Sequence, residues 1–206
     1  MRIAGLRSRV RRKYRVRTTD SNHKQPIAPN LLAKLPSTSG LNQVWVADIT
    51  YVRTGEGWLY LASILDLHSR RVVGWAMKDT LRTELPLAAL HMALIHRRPA
   101  SGLIHHSDRG CQYASDDYRK LLTSHGVIPS MSGKGNCYDN AAKESFFHTL
   151  KTELVYLDEF HTKAEAQRRI FDYLEGFYNR QRLHSSIGYM TPVEFEASAQ
   201  AAVVAA

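Results

Sequence analysis

Two things are scarce in this sequence, cysteine and long apolar runs, and each scarcity excludes a class of protein. The two cysteines, Cys111 and Cys137, have no C-x-x-C partner, so neither a disulfide scaffold nor a paired-cysteine metal site is expected. No apolar run approaches the roughly 20 residues that a membrane-spanning helix needs. The N-terminus also lacks the apolar segment of a secretory signal. These absences predict a soluble, cytoplasmic protein that does not bind membranes.

Acidic residues are almost missing from the first 24 positions, which places the net charge at one end of the chain. The whole chain has a net charge of +9, and residues 1–24 hold nine basic side chains against Asp20 alone. A basic arm favours a polyanionic partner, with nucleic acid the usual one. The alternative is a solvated tail that aids solubility. The arm residues expected to contact DNA are Arg9, Arg11, Arg12, Lys13, Arg15 and Arg17.

Residues 18–40 contain three prolines and many small polar side chains without sustained periodicity, as in a linker. The sequence therefore predicts an arm and linker over residues 1–41, a core over 42–160, and a C-terminal helix and tail over 161–206 that packs on the core. At 206 residues the chain can bury a sizeable core.

The hydrophobic pattern beyond residue 41 predicts an α/β fold. β-Branched and aromatic residues predict three antiparallel strands at 44–54, 58–69 and 70–79. Further short strands are predicted at 103–107 and 127–131. Helical spacing predicts four helices: one after an N-cap at Thr83, one capped by Ser115, one from about residue 140, and one over 162–180. This order gives a mixed five-stranded sheet with flanking helices.

Three acidic side chains lie on elements that can meet at one edge of this sheet. Asp48 is in the middle of a predicted buried strand, where an uncompensated charge is costly. Asp108 follows the fourth strand, and Glu144 lies on a helical face distinct from the apolar stripe of Phe147, Leu150 and Leu154. A lone Asp is most often a turn or cap residue, so the prediction depends on all three acids. Together they predict a site for two Mg²⁺ or Mn²⁺ ions that acts on a phosphodiester.

Other candidate residues have simpler interpretations. Asp66 and Asp139 are expected to turn or cap the chain. Asp116 and Asp117 suit the first turn of a helix. His105 and His106 alternate along a short strand without a further ligand cluster, which argues against zinc. The basic residues Arg168, Arg169, Arg180, Arg182 and His184 are either DNA contacts or a solvated helix face.

The spacing of the acids and five motifs resemble a known family. Glu144 follows Asp108 by 36 positions, and the motifs are NQVWVADITYV, LDLHSRRVVGW, HSDRGCQY, SGKGNCYDNAAKESFFHTLKTE and YNRQRLHSSIGYMTPVEF. They resemble the second-frame (OrfB) transposases of the IS-three family of bacterial insertion sequences. These are DDE enzymes with the ribonuclease H-like core of retroviral-type integrases.

The resemblance implies a function for particular positions. The family's catalytic triad falls on Asp48, Asp108 and Glu144, and its DNA-contacting basic residue falls on Lys151. It implies metal-dependent DNA cleavage and strand transfer by a 3′-hydroxyl, with recognition of inverted-repeat ends. It also implies a homo-oligomer on DNA, association with the bacterial nucleoid, and a possible partner in the first-frame product of the same element.

Two other functions are compatible with parts of the sequence. Family members usually carry a helix-turn-helix region upstream of the basic segment, and this chain starts partway through that region. The first alternative is therefore a truncated, transposition-inactive DNA-binding protein, a relic or an inhibitor of the intact transposase. The second is a ribonuclease acting on RNA–DNA hybrids, which the basic arm and the C-terminal motif disfavour.

Overall fold

A computed structural model describes residues 25–35, 38–133 and 141–204 of the chain. Its five strands form one mixed sheet, which confirms the predicted α/β fold. The strand order is β3-β2-β1-β4-β5, with β1, β2 and β3 antiparallel and β1, β4 and β5 parallel. The strands are β1 (Val44–Thr54), β2 (Gly57–Asp66), β3 (Val72–Lys78), β4 (Ile104–Ser107) and β5 (Ile128–Met131).

Six α-helices flank the sheet in the described part of the chain. They are α1 (Glu84–Arg97), α2 (Cys111–Ala114), α3 (Asp116–Ser124), α4 (Ala141–Leu150), α5 (Lys163–Phe171) and α6 (Pro192–Val204). Helices α4 and α5 continue without a break into π-helical segments at Lys151–Val155 and Asp172–Tyr178. Within these residues, no helix is long and apolar enough to span a membrane.

Alternation along the central strand divides the core into two layers. Val44 and Val46 face one side of the sheet, where they pack with Phe146 and Leu150 of α4. Trp45 and its neighbours on the other side pack against α1 and α3. This is the two-sided burial expected of a sheet covered by helices on both faces. Helix α4, which carries Glu144, is thus held against the same face of β1 as Val46.

A close approach between strand and helix fixes α1 on the second face. A Cβ atom at Gly74 of β3 would lie 2.3 Å from the carbonyl oxygen of Ala89, so only glycine allows this packing distance. The N-terminus of α1 agrees only partly with the prediction. Thr83 is the N-cap residue of α1 as predicted, but it has helical backbone angles and its side chain makes no capping hydrogen bond. The predicted cap at Ser115 is confirmed, because its Oγ accepts from the backbone N–H of Tyr118.

The C-terminal segment is joined to the sheet by buried polar contacts. Asn179 exchanges hydrogen bonds with the backbone of Val72, at 3.0 Å and 3.1 Å. Helix α6 buries Glu196 against the loop between β2 and β3. The π-helical segment after α5 buries Tyr173, Leu174 and Tyr178, whereas Phe177 is 40% exposed. The wider turn of a π-helix changes the spacing of its buried side chains.

Candidate active site

The structure brings Asp48 and Asp108 together through the register of two parallel strands. Val46 of β1 lies opposite His106 of β4, and each aspartate is two positions further along its own chain. Side chains two apart share a face, and neighbouring strands are about 4.8 Å apart. Both carboxylates line one narrow pocket, whose wall includes Gln112.

Backbone groups orient both carboxylates. Asp48 Oδ1 accepts from the N–H of Ile49 at 2.7 Å, and Asp108 Oδ1 accepts from the N–H of Gly110 at 2.9 Å. A Cβ atom at Gly110 would crowd that same Asp108 oxygen at 3.0 Å. Glycine at this position therefore leaves room beside the carboxylate. The two side chains are positioned by rigid strand and turn backbone, which suits a preorganised site.

The carboxylate of Asp48 has an unusually high pKa. Burial and then the charge of Asp108 raise the pKa of Asp48 from 3.8 to about 7, and Glu144 adds to the shift. The single backbone hydrogen bond and the nearby Lys143 oppose the shift but are outweighed. Asp48 thus lies in a site with more negative charge than its protein surroundings compensate, which is a frequent property of functional sites.

Lys143 is a site residue that the sequence analysis missed. It is fully buried, and its Nζ donates to Ser63 Oγ at 2.6 Å. Ser63 is the cross-strand partner of Asp48, so the ammonium lies close to the carboxylate. The rings of Phe146 and Phe147 lie 4.5 Å and 4.9 Å from Nζ. Burial lowers the pKa of Lys143, and the charge of Asp48 opposes that shift.

A sequence signal for Lys143 exists. It lies four positions before Phe147 and seven before Leu150, on the apolar stripe that packs against the sheet. A charged residue on such a stripe requires a buried partner. The predicted site contained carboxylates as metal ligands, and Lys143 was not included in it.

Glu144 of α4 and Lys151, the first residue of the π-helical segment that follows α4, both interact electrostatically with Asp48. Glu144 is exposed in the first turn of the helix, and its charge reaches Asp48. Lys151 Nζ lies 4.9 Å from the centre of the Tyr51 ring, and burial lowers its pKa. However, no group of three or more His, Cys, Asp or Glu in the described ranges is close enough to hold a metal ion. Two of the three carboxylates are together, and the third lies nearby without completing a three-residue cluster.

The remaining candidates have structural roles or lie outside the described residues. Asp66 accepts from the backbone N–H groups of Asn42, His68 and Ser69, as expected of a turn residue. His105 and His106 are buried and pair with Tyr118 and Ser130. Asp116 forms an ion pair with Arg119. Asp139, Cys137 and the arm residues Arg9, Arg11, Arg12, Lys13, Arg15 and Arg17 lie outside the described residues.

Comparison with known structures supports the fold. The chain matches a simian T-cell lymphotropic virus intasome in complex with the PP2A regulatory subunit B56 gamma, with a TM-score of 0.65 at 17% identity, covering 87% of this chain and 61% of that one. It also matches the magnesium complex of the HTLV-2 integrase catalytic core domain in its dimeric form. There the TM-score is 0.54 at 15% identity, covering 76% of this chain and 97% of that one.

Sequence comparison identifies the family. Residues 39–137 and 144–199 match two families, each described as an integrase core domain. The chain is 52% identical to the insertion element IS600 uncharacterized 31 kDa protein of Shigella sonnei, over 92% of this chain and 70% of the relative. It is 45% identical to transposase InsF for insertion sequence IS3A of Escherichia coli K12, over 95% of this chain and 68% of the relative. The chain therefore belongs to the IS3-type insertion-sequence transposases, and its integrase core is the catalytic domain of a DDE polynucleotidyl transferase that acts in transposition.

Proposed function

We propose that Asp48, Asp108 and Glu144 are the catalytic triad and hold two divalent cations, Mg²⁺ or Mn²⁺. The observation that carries this proposal is the convergence of Asp48 and Asp108 in one pocket. The ligand set fits hard cations, which prefer carboxylate oxygen. The raised pKa of Asp48 supports the same assignment, because a cation would supply the missing positive charge. Glu144 would complete the ligand set from α4.

The protein's own contribution is to position charges around a DNA phosphate. Bound divalent metal would activate the attacking hydroxyl and neutralise charge on the phosphate. Asp48 from strand β1 and Asp108 from the turn after β4 would orient the reacting groups, while Gln112 and Tyr113 restrict the pocket around them. Lys151, next to Tyr51 on the same side, would contact a phosphate near the cleavage point.

The substrate in this proposal is the DNA of the insertion element. The arm residues Arg9, Arg11, Arg12, Lys13, Arg15 and Arg17 would bind its backbone, with affinity that falls steeply as salt rises. We further propose recognition of inverted-repeat ends, assembly as a homo-oligomer on DNA, and possible association with the first-frame product. The protein would then act at the bacterial nucleoid. Residues 1–41 would serve as arm and linker, 42–160 as catalytic core, and 161–206 as a segment that supports the core.

The test is a nicking and joining assay on labelled DNA from both flanks of the gene, with Mn²⁺ as the metal. The native chain is compared with Glu144→Gln, which keeps the size of the side chain and removes its charge. We expect products from the native chain only, with equal salt-sensitive DNA binding by both proteins. Loss of activity together with binding would mean that Glu144 has a structural role. Removal of residues 1–24 should instead weaken binding first.

A further inference from the structure

A groove lies along the flank of α4 that faces away from Glu144. Successive residues of an α-helix are rotated by about 100°, so Glu144 and His148 share one side of α4, and Lys151 follows in the π-helical segment. Ala142, Ser145 and Thr149 lie on the opposite side and line a groove of about 770 Å³. Its floor is formed by strand residues of the sheet, including Val46 and Leu65. None of the three acids Asp48, Asp108 and Glu144 lines this groove.

The lining of the groove is positively charged and rich in hydroxyl groups. It contains Arg70 and Arg182 and no Asp or Glu, and it also contains His184, which is neutral because burial lowers its pKa to about 4. Arg182 is partly neutralised by Glu153, at 2.9 Å, but Arg70 has no ion pair within the described residues. The hydroxyl groups come from Ser145, Thr149, Tyr178, Ser185, Ser186 and Tyr189. Arginine with Ser, Thr and Tyr hydroxyls is the combination that binds nucleic-acid phosphates.

Two residues of the groove have backbone angles in the left-handed region. Arg70 has φ +62° in the turn between β2 and β3, and Tyr189 has φ +58°. Such angles are uncommon for residues other than glycine. Tyr189 is also 71% exposed, and an exposed ring beside an arginine offers a stacking surface for an unpaired base. The groove therefore combines a cation for a phosphate with an aromatic ring for a base.

The groove is also connected to the basic arm. Leu32 lines the groove, and Lys24 precedes it by eight residues. A chain of that length spans at most about 29 Å, which sets the largest possible distance between Lys24 and Leu32. One DNA strand is long enough to contact both the arm and the groove.

We propose that this groove binds a single DNA strand, with Arg70 contacting a phosphate and Tyr189 stacking on a base. The proposal rests on DNA being the substrate, as proposed above, and adds a second contact surface on the opposite side of α4 from the carboxylates. The strand bound there would be one that is not being cleaved.

The test uses the full chain, a fluorescein-labelled 20-nucleotide single strand and EDTA, so that binding is measured without catalysis. Arg70→Gln is compared with Arg98→Gln as the control, because Arg98 is also an arginine with a left-handed backbone, φ +43°, and does not line the groove. We expect Arg70→Gln to weaken binding several-fold and to lower the slope of log Kd against log salt by about one. Arg98→Gln should leave both unchanged. Equal effects of the two variants would overturn the proposal.

Photo-crosslinking of the native chain to the same oligonucleotide carrying 5-iodouracil provides a test that needs no variant. We expect the crosslink on Tyr189, and its loss in Tyr189→Ala. A crosslink confined to other residues would overturn the proposal. Arg70→Gln could also change self-association, measured by sedimentation, and leave the DNA affinity unchanged. The groove would then be a contact between copies of the chain, and the proposal would be overturned. These binding measurements do not depend on catalysis, so a negative result in the nicking assay would not change what they show.

Discussion

Glu196 and Asp48 are two carboxylates of this protein that differ in how their charge is compensated. Glu196 is 3% exposed and pairs with Arg71 at 2.6 Å and Arg97 at 2.7 Å, and it also accepts from Ser69 Oγ at 2.8 Å. Burial alone would raise the pKa of Glu196, but its hydrogen bonds and charges from arginine outweigh burial and lower it. Asp48 has one backbone hydrogen bond and a like-charged neighbour, and its pKa is raised.

The comparison distinguishes a structural acid from a functional one. Arg71, Arg97 and Ser69 donate to the carboxylate of Glu196, and these contacts join α6 to the sheet and to α1. The site around Asp48 keeps an excess of negative charge, which lowers stability in the absence of a cation. A protein retains such a site where a ligand supplies the missing charge.

The largest expected effect is on catalysis at Asp48. Asp48→Asn should lower Mn²⁺-dependent nicking by about 10³-fold or more, because several kcal/mol of transition-state stabilisation depend on the metal. Thermal unfolding should show a fold at least as stable as the native one. The matched control is Asp66→Asn, which replaces the oxygen that accepts from the backbone N–H of Asn42 at 2.7 Å with an NH2 donor and should lower stability instead. Equal loss of stability in both variants would contradict the comparison.

The next largest effect is on stability at Glu196. Glu196→Ala should lower the free energy of unfolding by about 3 kcal/mol, because Arg71 and Arg97 lose their shared partner. For a chain of this size that corresponds to a fall in Tm of roughly 6 to 12 °C. Glu159→Ala, at an exposed position, is the control and should change stability by less than about 0.5 kcal/mol. An unchanged Tm for Glu196→Ala would show that α6 is held mainly by apolar contacts.

A third effect is a pH dependence of stability without metal. The pKa of Asp48 is raised from 3.8 to about 7 in the folded protein, so the folded state keeps a proton that the unfolded chain releases. The resulting stability is fully present below pH 4 and is lost as the pH rises to about 7. In EDTA, the stability of the native chain relative to Asp48→Asn should therefore fall by up to about 1.4 kcal/mol per pH unit in this window. A difference that is constant with pH would mean that Asp48 titrates normally.

The smallest effect concerns Lys143 and metal affinity. Lys143→Met keeps the length of the buried side chain and removes its charge, so Mn²⁺ should bind about threefold to tenfold more tightly, as measured by calorimetry. Lys78→Met, at an exposed strand end, is the matched control and should leave the affinity unchanged. Weaker binding by Lys143→Met would mean that the lysine mainly holds Asp48 in position through Ser63.

Local sequence patterns were sufficient to predict most of the strands and helices. The bounds of β1 agree with the predicted 44–54, because a dense run of β-branched and aromatic residues ends at a glycine-containing turn. Helix α6 was not predicted as a separate element, since its Ala-rich sequence has little periodicity. Its position depends on contacts distant in sequence, such as that between Glu196 and Ser69, 127 positions apart.

The sequence by itself determined the order of the five strands and of four helices, the basic arm, and the acids Asp48, Asp108 and Glu144 as candidates. The tertiary structure decided which of these acids meet, because the pairing of β1 with β4 is a long-range contact that local propensity does not encode. It also decided the surroundings of Asp48. The buried ammonium of Lys143 and the acid-free groove behind α4 arise only when α4 packs across the sheet, since burial and charge depend on neighbours in space.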